Sequence, residues 1–409
     1  MDHVDSLVCT LCGAEYDPDQ VIYTCPNHPG VKGILEVTYD YDRVLDRFDE
    51  PLDGAIGSQW KYRAFLPVDD DVEPVTLGEG GTPLLEAPRL GAELDVDLRV
   101  KDDGRNPTGV LKDRATAISL TKAREFGLDV VTCASTGNAA ASLAGFSARG
   151  GFDCRLFVPG DAPEGKLAQP LVYGADVLGV RGSYDEAYDL SMAVTERFGW
   201  YNRNAAVNPF QVEGKRTVGH ELAEQTREEI PDWVVFSMGD GCTIAGGWKG
   251  FREFADLDLV EETPRMLGVQ AEGASAIHDA FHDHDDADEV ADTVADSISV
   301  GRPRNAVKAC SALEESGGES ILVSDEEVLA AESLLGRTEG IYAEPAGAAP
   351  VAGLRKAREA GIVEAGDSVV VVVTGTGLKD TRSAMRAGGE VTAIDPAIDD
   401  VVERYGDAD

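Results

Sequence analysis

The segment Asn106-Pro107-Thr108-Gly109-Val110-Leu111-Lys112-Asp113-Arg114 sets one lysine at the mouth of a helix. Asn-Pro and Thr-Gly are turn signals, and Arg114 to Ala123 has helical spacing, so Lys112 falls in the first helical turn. The positive end of the helix dipole disfavours an ammonium there, which helps keep the amine neutral and nucleophilic. Such an amine suits imine formation with a carbonyl. Alone, the motif reads equally well as a turn ending in a solvated lysine. Three segments downstream decide between the readings.

The apolar run ending at Ala134 leads into Ser135-Thr136-Gly137-Asn138-Ala139-Ala140-Ala141-Ser142, a loop opening a helix. Its free amides and the Asn138 side chain can hold an oxygen-rich ligand, although by itself it is also an ordinary N-cap. The loop Ser237-Met238-Gly239-Asp240-Gly241-Cys242-Thr243 joins a strand to a helix. There Gly239, Asp240, Gly241, Cys242 and Thr243 offer backbone amides with little side chain in the way, which suits a phosphate. The loop lacks the spacing of a nucleotide P-loop or a dinucleotide fingerprint, so ATP and NAD are disfavoured. Finally, Val373-Thr374-Gly375-Thr376-Gly377 puts the Thr374 hydroxyl at the carboxyl end of a very apolar strand.

The elements that position these groups alternate. Val130–Ala134, Cys154–Val158 and Asp176–Val180 read as buried strands separated by helices at Ala139–Ala148 and Leu167–Tyr173. A second set, Trp233–Phe236, Met266–Gln270 and Ser368–Val373, is interleaved with helices such as Asp325–Leu335. Repeated units of this kind predict an α/β protein with two open parallel-sheet domains, whose ligands collect beyond the strand carboxyl ends.

Near the N-terminus, Cys9-Thr10-Leu11-Cys12 and Cys25-Pro26-Asn27-His28 are separated by twelve residues. This is zinc-ribbon spacing: Cys9, Cys12, Cys25 and His28 can close a tetrahedral structural zinc site that staples a segment too short for its own core. Turn residues Gly13, Pro26, Pro29 and Gly30 support it over chance cysteines, with His28 the weakest ligand. Cys133, Cys154 and Cys310 sit in apolar or helical contexts and read as small buried hydrophobes rather than a disulfide framework.

The 409-residue chain is long enough for two cores. Lys plus Arg total 36 against 75 Asp plus Glu, a formal charge of −39 with a pI near 4.3. That balance excludes nucleic acid and anionic membranes as partners. The excess is diffuse, the surface expected of a protein working in concentrated salt, where screening removes the repulsion between carboxylates. The acidic run from His282 to Glu289 reads as a solvated loop rather than a metal site. With no basic-then-apolar leader and no apolar run of about 18 residues, a soluble cytoplasmic protein is expected. A homodimer is the default oligomeric expectation.

An imine lysine, an asparagine, a phosphate loop and a terminal hydroxyl, in this order, resemble the tryptophan-synthase-β-like (fold type II) pyridoxal-phosphate enzymes, and within them the threonine synthases. The resemblance runs from about Gly78-Glu79-Gly80-Gly81-Thr82-Pro83-Leu84 through Asn208-Pro209-Phe210-Gln211-Val212-Glu213-Gly214-Lys215-Arg216-Thr217 to Thr374–Asp380. It implies that Lys112 is the Schiff-base lysine, Asn138 the partner of the cofactor's phenolic oxygen, Gly239–Thr243 the phosphate cup and Thr374 the partner of the pyridine nitrogen. A hydroxyl at that nitrogen weakens the ring as an electron sink and favours eliminations and replacements at the β or γ carbon over transamination. The implied organisation is a zinc ribbon at 1–33, a connector at 34–75, a large domain from 76–102 and 207–395, a small domain at 103–206 and an acidic tail at 396–409.

The chain departs from the family pattern in places. Val110-Leu111 stands for Ser-Phe and Ala115 for Gly, which repack the pocket. More consequential are Ala139, Ala205, Ala206 and Gln211, in place of a Thr, an Asn-Ser pair and an Arg that grip the phosphate of O-phosphohomoserine. Either other cations substitute or the amino-acid substrate lacks that phosphate. The expected reaction is therefore γ-elimination of phosphate with addition of water at the β carbon. A threonine or serine dehydratase or a β-replacement enzyme is the runner-up, suggested by Ala291-Asp292-Thr293-Val294-Ala295-Asp296-Ser297-Ile298-Ser299-Val300-Gly301. A non-catalytic sensor is the alternative of a different class, disfavoured because a binding relic has no need of Lys112 with a full cofactor cup.

Overall fold

The computed structural model describes residues 1–406 apart from positions 22, 29–32, 53–54, 161, 163, 285–292 and 390. Pro29, Gly30, most of the acidic run after His284, and Ala291-Asp292 of the dehydratase-like stretch lie outside the described residues. The larger sheet has the strand order Glu319–Val323, Arg265–Ala271, Trp233–Ser237, Ser368–Val373, Asp97–Asp102, Leu84–Glu86. The first five strands are mutually parallel and the short Leu84–Glu86 closes one edge antiparallel. Val369 to Val373 are fully buried, as a central strand covered on both faces requires. Each of these valines contributes about 1.5–3 kcal/mol of burial.

The smaller sheet is parallel throughout, ordered Asp176–Val180, Asp153–Pro159, Val130–Ala134, Tyr201–Asn202. The expected strands at 130–134, 154–158 and 176–180 match it closely. Strands at 84–86, 97–102, 201–202 and 319–323 were not anticipated. Two of these are only two or three residues long, and four of the six residues of Asp97–Asp102 are charged.

A third sheet, antiparallel, is built from Glu15–Tyr16, Val4–Cys9 and Leu35–Tyr39. Its third strand lies beyond residue 33, in the stretch expected to be connector. Alternation in Leu35-Glu36-Val37-Thr38-Tyr39, with Leu35, Val37 and Tyr39 buried, explains why it pairs. The rest of that stretch covers the larger body through a helix at Tyr41–Arg47 and a 3-10 turn at Gln59–Phe65. Trp60 Nε1 donates to Glu79 at 2.7 Å and Tyr62 Oη to Glu224 at 2.7 Å. Within the tail, Ile398–Tyr405 forms a short helix with no buried residue.

Three helices meet with their backbones almost touching. A Cβ at Gly214 would lie 2.3 Å from the Arg114 carbonyl oxygen, one at Gly219 2.2 Å from that of Gly247, and one at Gly250 2.4 Å from that of Arg216. Only glycine permits this approach. It draws together the helices Lys112–Glu125, Phe210–Gln225 and Cys242–Asp256.

Candidate active site

Lys112 is the first residue of its helix, as the turn signals predict. The turn ahead of it is fixed from both sides. Asp113 accepts from the Thr108 backbone N–H at 2.7 Å and from its hydroxyl at 2.6 Å. Gly109 adopts a left-handed φ of 85°, and a Cβ there would meet Thr376 Cγ2 at 2.8 Å. The turn is stitched to the loop after the valine strand: the Leu111 N–H donates to the Thr374 carbonyl at 2.8 Å and the Thr376 N–H to the Gly109 carbonyl at 3.0 Å. Lys112 and Thr374 are thereby brought beside one another. Behind the turn, Arg114 is fully buried between Asp103 and Glu221 in paired hydrogen bonds of 2.6–2.9 Å.

The Lys112 amine makes no hydrogen bond or ion pair among the described residues. Burial, together with the positive charges of Lys215 and Arg203, lowers its pKa to about 8, against the opposing pull of Glu344 and Asp296. The amine is thus a usable nucleophile near neutral pH, where an ordinary lysine is almost wholly protonated.

Asn138 opens the helix Asn138–Gly150, and no side chain caps that helix end. Its Nδ2 donates to both carboxylate oxygens of Glu344, at 2.7 and 2.9 Å, and to Ser297 Oγ at 3.0 Å. Glu344 is the N-cap residue of the helix Pro345–Glu359, its own N–H held by the Gly375 carbonyl at 3.0 Å. Burial raises its pKa. Sequence reasoning missed Glu344, because Glu-Pro ahead of a helix reads as a helix start; Asp296 and Ser297 were noted only as part of a segment. Gly137, Asn138, Gln169, Asp296, Ser297 and Glu344 line a cavity of about 160 Å³. A wider groove of about 560 Å³, along residues 224–229 and Thr82-Pro83, includes none of the expected site residues.

The loop Gly239–Thr243 follows the strand Trp233–Ser237 and leads into the helix Cys242–Asp256, with Gly241 as a left-handed N-cap that offers no side-chain bond. Its first-turn N–H groups are therefore free to face an anion. A Cβ at Gly239 would lie 3.0 Å from Ile298 Cα, and one at Gly241 2.8 Å from Ala309 Cβ, so both glycines are needed for the loop to sit where it does. Asp240 turns aside, its carboxylate accepting from the Arg304 N–H at 3.2 Å. Cys242 is buried and Thr243 half-buried. Among the described residues the Thr374 hydroxyl has no hydrogen bond, leaving it a free donor and acceptor at the strand end.

An open amine, an amide, an uncapped helix end flanked by glycine, and an uncommitted hydroxyl fit the aldehyde, ring oxygen, phosphate and ring nitrogen of pyridoxal phosphate. Separately, ligand atoms of Cys9, Cys12, Cys25 and His28 all lie within 4.8 Å of one another. Cys12 Sγ is 3.8 Å from Cys25 Sγ and Cys9 Sγ 3.8 Å from His28 Nδ1. Tetrahedral zinc with bonds of ~2.3 Å to sulfur sets thiolates about that far apart, so the donor set fits a closed site.

The family described as pyridoxal-phosphate dependent enzyme matches residues 75–375. A threonine synthase of Methanocaldococcus jannaschii is 42% identical over 394 residues, covering 95% of this chain and 96% of that protein. One from Methanosarcina acetivorans is 43% identical over 403 residues, covering 97% and 98%. Among solved structures, the processed form of threonine deaminase isoform 2 from Solanum lycopersicum matches at a TM-score of 0.65 and 20% identity, covering 87% of this chain and 93% of that one. That likeness carries the fold. The motif order around Lys112, the geometry of the cleft and these matches agree: the chain belongs to the threonine synthase family of pyridoxal-phosphate dependent enzymes.

Proposed function

We propose that the protein converts O-phosphohomoserine and water to threonine and phosphate. The observation that carries the reading is the placement of Lys112, with its lowered pKa, among Asn138, Glu344 and Thr374 in a chain that aligns over 95% of its length with a threonine synthase. When bound, pyridoxal phosphate supplies the electron sink that makes the α and β protons of the amino acid acidic and lets a γ substituent leave. Lys112 anchors the cofactor, then as a free amine takes and returns protons at the α and β carbons. Asn138 donates to the ring oxygen and is aimed by Glu344. The amides of Gly239–Thr243 hold the phosphate group of the cofactor. Thr374 meets the ring nitrogen with a hydroxyl, which keeps that nitrogen from full protonation and steers chemistry toward loss of the γ phosphate and addition of water at the β carbon.

In the same reading Cys9, Cys12, Cys25 and His28 hold a structural zinc, and the acidic surface suits a cytoplasm of high salt. The test is direct. The purified protein is incubated in concentrated KCl with O-phosphohomoserine, threonine or serine, and phosphate, threonine and ketoacid are assayed. Release of phosphate and threonine in equal amounts is expected. Ketoacid from threonine or serine, without turnover of O-phosphohomoserine, would replace this reading with a dehydratase, the alternative supported by Ser297 beside Asn138 and by Gln211 in place of an arginine.

A further inference from the structure

Among the described residues, seven lysines and arginines are buried: Lys101, Arg114, Lys122, Arg203, Lys215, Arg216 and Lys249. Five of them sit against carboxylates. Lys101 and Arg114 meet Glu221, Lys122 meets Glu125, Arg216 meets Glu253 and Lys249 meets Glu213. The two exceptions are Arg203 and Lys215; Arg203 donates to the Lys112 carbonyl, and the charges of both act on the Lys112 amine.

Arg203, 1% exposed, spends its guanidinium on neutral oxygens: Nε donates to Thr116 Oγ1 at 3.2 Å and one terminal nitrogen to the Lys112 carbonyl at 3.4 Å. Lys215, 5% exposed, has no hydrogen bond or ion pair among the described residues. Its Cβ faces Gly246, 3.1 Å from where a Cβ would stand there, one turn into the helix behind the phosphate loop. Burial lowers the pKa of both groups, since the more distant Asp113 and Asp240 only partly offset desolvation and neither forms an ion pair with them.

A buried cation without an ion-pair partner is strongly unfavourable, so two that act on the same lysine mark the place of an anion that arrives with a ligand. Arg203 precedes Ala205 and Ala206 by two and three residues. Lys215 follows Gln211 by one helical turn, on the same face of Phe210–Gln225. Gln211 turns its amide onto the Arg203 carbonyl, and its Oε1 is buried with no partner. The positions where the family's polar grip is missing are thus flanked by both unpaired cations.

We propose that Arg203 and Lys215 together form the site that binds the phosphate monoester dianion of the substrate, taking over from the absent arginine and Asn-Ser pair. This rests on the proposed reaction; the amides of Gly239–Thr243 are left to the cofactor's own phosphate. A guanidinium fork and an ammonium suit a dianion with three terminal oxygens.

The test uses the holoenzyme in concentrated KCl, with inorganic phosphate as the probe. Phosphate should raise the melting temperature of the wild type saturably. Lys215→Gln and Arg203→Met should each weaken that apparent phosphate affinity about tenfold or more and raise KM for O-phosphohomoserine by a similar factor, with kcat changed less. Lys215→Arg should keep most of both. Cofactor content, read from visible absorbance per subunit, should not change in any variant. Because each neutral variant removes an uncompensated buried charge, its melting temperature without phosphate should equal or exceed that of the wild type.

Unchanged phosphate affinity in both neutral variants would overturn the proposal. So would loss of cofactor with phosphate affinity intact, which would assign the pair to the cofactor's phosphate. A wild type that binds phosphate through this pair yet does not turn over O-phosphohomoserine would keep the anion site and refute the reaction instead.

Discussion

Asn138 and Glu344 are locked together across the cleft, the amide nitrogen 2.7 and 2.9 Å from the two carboxylate oxygens. One partner opens a helix beside the smaller sheet and the other caps a helix of the larger body. The bond makes the position of the Asn138 amide depend on the charge of a buried carboxyl group. Burial raises the Glu344 pKa, so the group takes up its proton at a higher pH than an ordinary glutamate as pH falls. Protonation removes an acceptor and weakens the hold on Asn138. Activity should therefore decline on the acid side earlier than a normal carboxylate would cause. Glu344→Gln should lose roughly tenfold in kcat/KM, the worth of about one charge-assisted hydrogen bond, and flatten that acid limb. A pH profile of kcat/KM for both proteins checks this; an identical acid limb in Glu344→Gln contradicts it.

If Lys112 is both anchor and proton carrier, as proposed, Lys112→Ala should abolish the visible absorbance of the bound cofactor and reduce turnover by ~10³-fold or more. The amine itself can be titrated. In protein stripped of cofactor, the rate of recombination with pyridoxal phosphate should climb with pH and level off above about 8, since only the unprotonated amine attacks. A lysine with its usual pKa would still be climbing near 10. As the charge of Lys215 helps to lower this pKa, Lys215→Gln should move the midpoint upward.

Gln211→Arg alone should not tighten binding of O-phosphohomoserine, because it adds a third cation to a space already holding Arg203 and Lys215. In the Lys215→Gln background the same change should recover most of the lost affinity. KM for the two variants and their combination, at fixed salt, forms the double-mutant cycle. Equal effects in both backgrounds would show that the two positions act independently.

Chelation should release one zinc per chain, open residues 1–33 to protease and lower the melting temperature by at least about 5 °C, while the cofactor absorbance persists. Metal analysis of freshly purified protein gives the stoichiometry. Cys12→Ser should act as chelation does, since Cys12 is the exposed member of the set.

The parts of the site legible in the sequence were those set by local chain chemistry. The turn before Lys112, the glycines of the 239–243 loop and the valine strand just before Thr374 announce themselves through turn residues and hydrophobic runs. Glu344, Arg203 and Lys215 did not. A charged side chain in a helix or turn reads as solvated, and its burial depends on which distant elements fold over it. Leu35–Tyr39 carries its alternation openly but reads as connector, because only pairing with Val4–Cys9 makes it part of the N-terminal sheet. The short strands 84–86 and 201–202 have too few residues to show a period at all.

That N-terminal sheet is not a detachable module. Tyr39 Oη donates to Glu213 at 2.6 Å, and its ring lies 4.4 Å from the Arg216 guanidinium carbon. Lys249 donates to the Val37 carbonyl at 2.8 Å and pairs with Glu36, and Lys308 reaches the Leu35 carbonyl at 2.8 Å. Glu213 and Arg216 lie on the same helix as Gln211 and Lys215. A chain shortened to begin at Tyr41 would retain Lys112, Asn138, Thr374 and the Gly239–Thr243 loop, yet it would strip the cover from a row of ionised groups on the helix Phe210–Gln225. Removal of the whole sheet, unlike a cut at residue 33 that keeps Leu35–Tyr39, should therefore give a poorly folded protein for reasons of exposed charge, and its failure would say nothing about whether zinc takes part in the reaction.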